Sequence, residues 1–491
     1  MKKTYAFIFL LVCVLPTSTC PAYELIGTEV MSKELVAQHY TINPNLDAVI
    51  VVDRTIPTFE YYTYYSTGSA DEEEGKQGRL HFLEHLMSSH DEVVSKNGGR
   101  KNASVSYHYT RFILIFPKDK FDLAVEIDSE RYYNTVINEE VVEKEKKIVL
   151  TERSGRVANS NRNFANRFLN FVYGRKNFDT LGTEDFLKQL DSVDLKAYYE
   201  NFLRRKKRLI VIIGDVDVDY VLTKLDEAYG NEQTPDALSS PEISKPKVLG
   251  KKFRITSTRL SLAKFRKSWY LPGLGHRDYA SLLILARILN RTAGSLRSYI
   301  VDSGLANVFS IGLSHYRGFS LMTCTADLPH STSSDAVHDI IRVELEKMKS
   351  ISEDELNAAR NEQLQSMYSA FYNRSSMASS FGRAFVHTND PMLYPKLIKD
   401  LESVRTEDIR RIIDQYIADD NSITLSWTLK RDTETSRQET KQSRSRMILG
   451  IALMIWTVAT VLFALIWVTR KLIRKFSRKV ATDEYVSESD A

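Results

Sequence analysis

Cysteine is scarce in this chain: three in 491 residues. Cys13 and Cys20 fall in the N-terminal apolar stretch, so the body of the protein keeps Cys324 alone. One cysteine closes no internal disulfide, which excludes a stapled scaffold and leaves stability to hydrophobic cores. Cys324 itself reads as a small buried apolar residue. An excess of one charge is lacking too. The net charge is +4, and much of it sits in one C-terminal cluster (Arg470, Lys471, Arg474, Lys475, Arg478, Lys479), so no nucleic-acid partner is expected.

Two uncharged apolar runs stand out. Ala6–Leu15 follows Lys2 and Lys3 and precedes the small-residue zone Thr17–Ala22, so residues 1–22 are expected to be a signal peptide. Met447–Thr469 is long enough to cross a hydrocarbon core of about 30 Å as a helix. The basic cluster after it predicts a cytoplasmic tail at 470–491, and the polar stretch 433–446 predicts a tether. Together they predict a single-span protein of the bacterial inner membrane with its large N-terminal part in the periplasm.

Hydrophobic residues at 43 % and charged residues at 26 % are ordinary for a chain with real cores. Strand-like runs rich in β-branched and aromatic residues appear at Ala48–Val52, Tyr61–Ser66, Ala103–Tyr107, Phe112–Phe116 and Leu209–Ile213. Helices are expected at Leu80–Ser88 and Asn138–Arg156. Pro235–Lys247, with its prolines and hydroxyl residues, predicts a linker spanning 235–248. Strands (Leu262–Trp269, Ser320–Thr325) and helices (Asp335–Lys349, Asp354–Tyr372, Thr406–Ile417) follow it. The fold class expected is α+β, a duplicated half-domain at 23–234 and 249–432.

The chemistry is concentrated in His81-Phe82-Leu83-Glu84-His85. Positions i and i+4 share a helix face, so both histidines can converge on one ion, and Glu84 stays near enough to reach a water there. This is the inverted form of the commoner zinc-peptidase helix motif. A catalytic zinc ordinarily takes three protein ligands. The best source of the third is Glu143–Glu152, where Glu145 and Glu152 lie seven residues apart on one helix face. One of the two can bind metal while the other orients a histidine.

The motif resembles the zinc helix of the pitrilysin/insulinase metallopeptidases, which include the mitochondrial processing peptidases. The likeness extends to Val51-Val52-Asp53, Thr67-Gly68-Ser69, Gly78, Gly98-Gly99, Asn102-Ala103, Leu209–Asp215, Tyr270–Gly273 and Ile300–Ala306. It covers about residues 30 to 430. The resemblance implies zinc, one ion per chain, on His81, His85 and Glu152, with Glu145 as the second glutamate of the pair. It also implies that Asn102, Ala103 and Ser104 form an edge strand on which substrate is laid out. His90 and His108 are expected to be non-ligands. Two departures stand out. The stretch Leu86–His90 is short, replacing the usual loop and the helix after it. Where the family carries an Arg and a Tyr that grip the substrate carbonyl, this chain has Val301 and Val308, with Arg297 and Tyr299 as neighbouring substitutes.

The expected activity is hydrolysis of peptides or unfolded protein segments, with Glu84 as general base. A homologous partner subunit would supply the Arg/Tyr pair. The rival is a non-catalytic scaffold subunit of a membrane complex. Asn102-Ala103-Ser104 is also a formal glycosylation sequon, read here as coincidence.

Overall fold

Apolar, β-branched and aromatic segments build two sheets in the computed structural model, which describes residues 23–429 apart from 33, 158, 176–178, 233–237, 239–244, 258–261, 292–294 and 330–331. The first half supplies β1 (Glu24–Val30), β2 (Val36–Asn43), β3 (Leu46–Val52), β4 (Thr58–Tyr65), β5 (Arg100–Val105), β6 (Thr110–Pro117) and β7 (Arg208–Gly214), in the spatial order β1-β2-β3-β7-β4-β6-β5. The second half supplies β8 (Lys252–Ser257), β9 (Ala263–Pro272), β10 (Val308–Tyr316), β11 (Phe319–Leu328) and β12 (Ser422–Leu429), ordered β10-β11-β9-β12-β8.

Duplication is written into that order. In the first sheet β3 and β7 run parallel and the strands from β7 to β5 pair antiparallel. The second sheet repeats this with β8 parallel to β12 and antiparallel pairs from β12 to β10. Each half pairs an early strand, β3 or β8, with its last, so the sheet closes only when that final strand is in place. The sequence of β7, Arg-Leu-Ile-Val-Ile-Ile-Gly, is buried throughout, as a strand covered on both faces should be.

The two faces of the first sheet belong to different cores. Tyr61, Tyr65, Ile210 and Ile212 pack under helices of their own half. Tyr62, Tyr64, Leu209, Val211 and Ile213 pack in a core shared with Phe381 and Phe385 of the helix Arg374–Thr388, from the second half. Gly382 allows the approach: a Cβ there would meet the Tyr64 ring at 2.2 Å. The exchange is mutual. The helix Ser160–Tyr173 of the first half sets Phe164, Phe168 and Leu169 against Phe319, Leu321, Ile423, Leu425 and Trp427 of the second sheet.

Element positions follow the sequence reading closely, with the motif helix at Arg79–Met87 and the glutamate helix at Glu139–Val157. One expectation is corrected. A helix does follow the short loop, at Asp91–Lys96, where Asp91 and Glu92 favour its first turn and Lys96 its last. Cys324 is free and fully buried, as read.

The expected signal peptide, tether, apolar segment 447–469 and tail lie outside the described residues, as does most of the linker. The localisation is corrected. No helix among the described residues is long and apolar enough to cross a membrane, and those residues give a single-pass inner-membrane protein no support.

Candidate active site

The motif helix begins at Gly78, whose φ of +104° is a left-handed conformation, and a Cβ there would meet the Leu181 carbonyl oxygen at 2.8 Å. Its first turn has no side-chain cap of its own. The buried Glu72 supplies one from upstream, accepting from the backbone N–H groups of Gly78 at 3.1 Å and Leu80 at 2.9 Å. Burial pushes the Glu72 carboxyl up to about 7 despite those two donors. Leu80, Phe82, Leu83, Leu86 and Met87 then anchor the helix in the core of the first half.

Across from it, Val142 and Val149 seat the glutamate helix in the same core. Glu145 and Glu152 share the seven-residue spacing of these valines and lie toward the histidines. Oε2 of Glu152 is 3.4 Å from Nε2 of His81 and 3.3 Å from Nε2 of His85. Oε2 of Glu145 is 3.4 Å from Nδ1 of His85, so His85 is held from both ring nitrogens. Glu84 sits 3.9 Å from Nε2 of His81, and donor atoms of His81, Glu84 and His85 all lie within 4.8 Å of one another.

The electrostatics separate the two carboxylates. The hydrogen bond from His81 leads the effects that pull Glu152 down to about 2, with the charges of His81, Arg156 and His85 adding to it. Burial instead pushes Glu84 above its ordinary value, against the pull of His81 and His85. A carboxylate that stays ionised suits a ligand, and one inclined to hold a proton suits a base.

The donor set fits zinc. Tetrahedral ligands bonded at ~2.0–2.1 Å stand roughly 3.3 Å apart, the separation seen between Glu152 and each histidine. Two imidazoles and one carboxylate are also the donors of a catalytic rather than a closed site. Expected non-ligands stand apart from the set: His90 contacts Glu130 at 3.2 Å, and His108 lies between the halves, its ring 5.3 Å from that of His387. Asn102, Ala103 and Ser104 lie on β5, the last strand of its sheet, with β6 on one side only among the described residues.

Two residues escaped the sequence reading. Arg156 pairs with Oε1 of Glu152, an i,i+4 contact that helical spacing could have suggested. Glu72 reaches backbone groups through a loop, and no sequence pattern announces such a contact.

Comparison with known proteins bears on this geometry. The family model described as insulinase, peptidase family M16, matches residues 57–175, and the one described as the peptidase M16 inactive domain matches residues 189–363. The chain belongs to peptidase family M16. Among its relatives in that family, the zinc protease PqqE of Helicobacter pylori is 24 % identical over 424 residues, covering 82 % of this chain and 95 % of that protein. A crystal structure of a protease from Helicobacter pylori shares the fold with a TM-score of 0.72 at 23 % identity, over 80 % of this chain and 99 % of the other. The first half of the periplasmic protease PqqL from Escherichia coli aligns with a TM-score of 0.66 at 15 % identity, over 85 % of this chain and 98 % of that one. That neighbour is described as periplasmic. The first match takes in β4 to β6 with the motif and glutamate helices, and the second runs from before β7 to beyond β11.

Proposed function

We propose that the chain is a zinc metalloendopeptidase that hydrolyses peptides or unfolded protein segments, holding one zinc ion on His81, His85 and Glu152. The observation that carries the reading is the single oxygen Oε2 of Glu152 shared between two histidine Nε2 atoms at 3.3 and 3.4 Å, with Glu84 beside them. Zinc bound there would supply Lewis acidity, bringing the pKa of water toward 7 and polarising a carbonyl.

The chain's own residues do the rest. Glu84 takes a proton from the attacking water and returns it to the leaving amine, a double task that a raised carboxyl pKa favours. Glu145 orients His85 through Nδ1. The free edge of β5 at Asn102–Ser104 receives the peptide as an added strand, which relies on backbone hydrogen bonds and tolerates varied side chains. A folded protein cannot present such a strand.

The proposal includes a partner. Val301 packs against the core and Val308 is 57 % exposed at the start of β10; neither can donate a hydrogen bond to a carbonyl. One missing donor of this kind costs about 10²–10³ in rate. A homologous subunit would supply the Arg and Tyr.

The test is cleavage of quenched, unstructured peptides by the zinc-loaded full chain beside Glu84→Gln. Cleavage that disappears in the variant and with a chelator is the expected result. A metal-bound protein that cleaves nothing, alone or with whatever co-purifies, would refute the enzyme reading. Full activity of a homogeneous preparation would remove the partner from it.

A further inference from the structure

The carboxylate of Glu152 has two oxygens in unlike surroundings. Oε2 faces His81 and His85, while Oε1 is taken by the guanidinium of Arg156, one helical turn further along Glu139–Val157. A glutamate without that second contact can turn about its terminal bond and offer either oxygen, or both, to an ion. The charge of Arg156 also reaches Glu84. Glu145, Glu152 and Arg156 thus line one helix face and address, in turn, His85, both histidines and the outer side of the carboxylate.

We propose that Arg156 is a positioning residue that pins the outer oxygen of Glu152, so that the third ligand meets the metal through one oxygen. The inference rests on the zinc reading above and goes beyond it. The Arg156 side chain is 47 % exposed and that of Glu152 27 %, so the contact stands at the mouth of the site rather than in its floor. A surface ion pair at this spacing would ordinarily contribute little to folding. Its effect here falls on ligand geometry, since the oxygen it occupies is the one that would otherwise be free to chelate. Arginine suits the task because its planar fork fixes direction as well as charge.

The test replaces zinc with cobalt(II) in the full chain, whose visible absorption weakens as coordination number rises. Arg156→Gln should keep one metal per chain yet absorb more weakly than wild type. Its kcat should drop about 10–100-fold, as for other outer-shell changes, while KM stays unchanged. Arg156→Lys, which restores one donor, should recover part of both. Thermal unfolding of the metal-free variants should match wild type, separating geometry from folding. An unchanged cobalt spectrum and kcat in Arg156→Gln would overturn the inference alone. A wild-type chain that takes up no metal, like His85→Gln, would overturn the zinc reading and the inference together.

Discussion

Replacing Arg374 with methionine should cost this protein about 3–5 kcal/mol of stability, the range for breaking a buried ion pair from one side. The side chain is 8 % exposed and its partner Asp53 12 %. Nε donates to Oδ2 of Asp53 at 2.6 Å, and the two terminal nitrogens donate to the Asp53 carbonyl at 2.8 Å and the Thr58 carbonyl at 2.9 Å. Methionine keeps most of the apolar stem, so the loss is polar. The Thr58 carbonyl retains the Asp215 N–H, and Asp53 retains Thr55, but the carboxylate loses its arginine contact and the Asp53 carbonyl loses this donor. Although burial pushes Asp53 up, hydrogen bonding to Arg374 and Thr55 prevails and holds it below its ordinary value. Urea unfolding of Arg374→Met, Asp53→Asn and the double variant measures the effect. The double variant should be more stable than the sum of the singles, because no buried charge is left alone. A loss under about 1 kcal/mol in Arg374→Met, with no coupling to Asp53, would show that the pair is solvated and that the reasoning fails.

Acid should loosen the contact between the halves. Burial, aided by Arg317, holds His108 down to about 3; burial and Arg383 hold His315 to about 4; burial and His108 hold His387 to about 2. Folded values below the ordinary 6.5 mean that the unfolded chain takes up protons first, so stability is full above about pH 6.5 and falls below it. Tm should decline from pH 7.5 to 5, less steeply in His387→Phe; a flat profile would contradict this. Removal of zinc should also lower Tm, since saturation at 100 times Kd adds about 2.7 kcal/mol. In His85→Gln, chelator should make no difference.

The parts legible in the sequence are those with local causes. The motif helix announces itself through His81, Glu84 and His85 at helical spacing, and Glu145 with Glu152 through a seven-residue repeat. β7 is visible because a strand covered on both faces is apolar throughout. The helices Ser160–Tyr173 and Arg374–Thr388 were not foreseen. Each is rich in Asn, Ser or Arg, which reads as surface, and the sheet each one covers lies in the other half of the chain. Gly382 shows the same limit: its need for a missing side chain is set by Tyr64, more than three hundred residues earlier in sequence. Arg156 was legible in its i,i+4 spacing from Glu152 and was overlooked, whereas Glu72 was missed because its partners are two backbone amides whose orientation only the fold determines.

The exchanged helices set a timetable for synthesis. The first sheet is complete when Gly214 ends β7, yet the helix that covers its outer face ends at Thr388, 174 residues later. At ~5–20 residues per second the ribosome needs roughly 9 to 35 seconds to deliver it. During that interval Tyr62, Tyr64, Leu209, Val211 and Ile213 form a bare apolar sheet on a nascent chain. The protein is therefore most exposed to aggregation while it is being made, and a holding chaperone that binds apolar surface would find its target in that face.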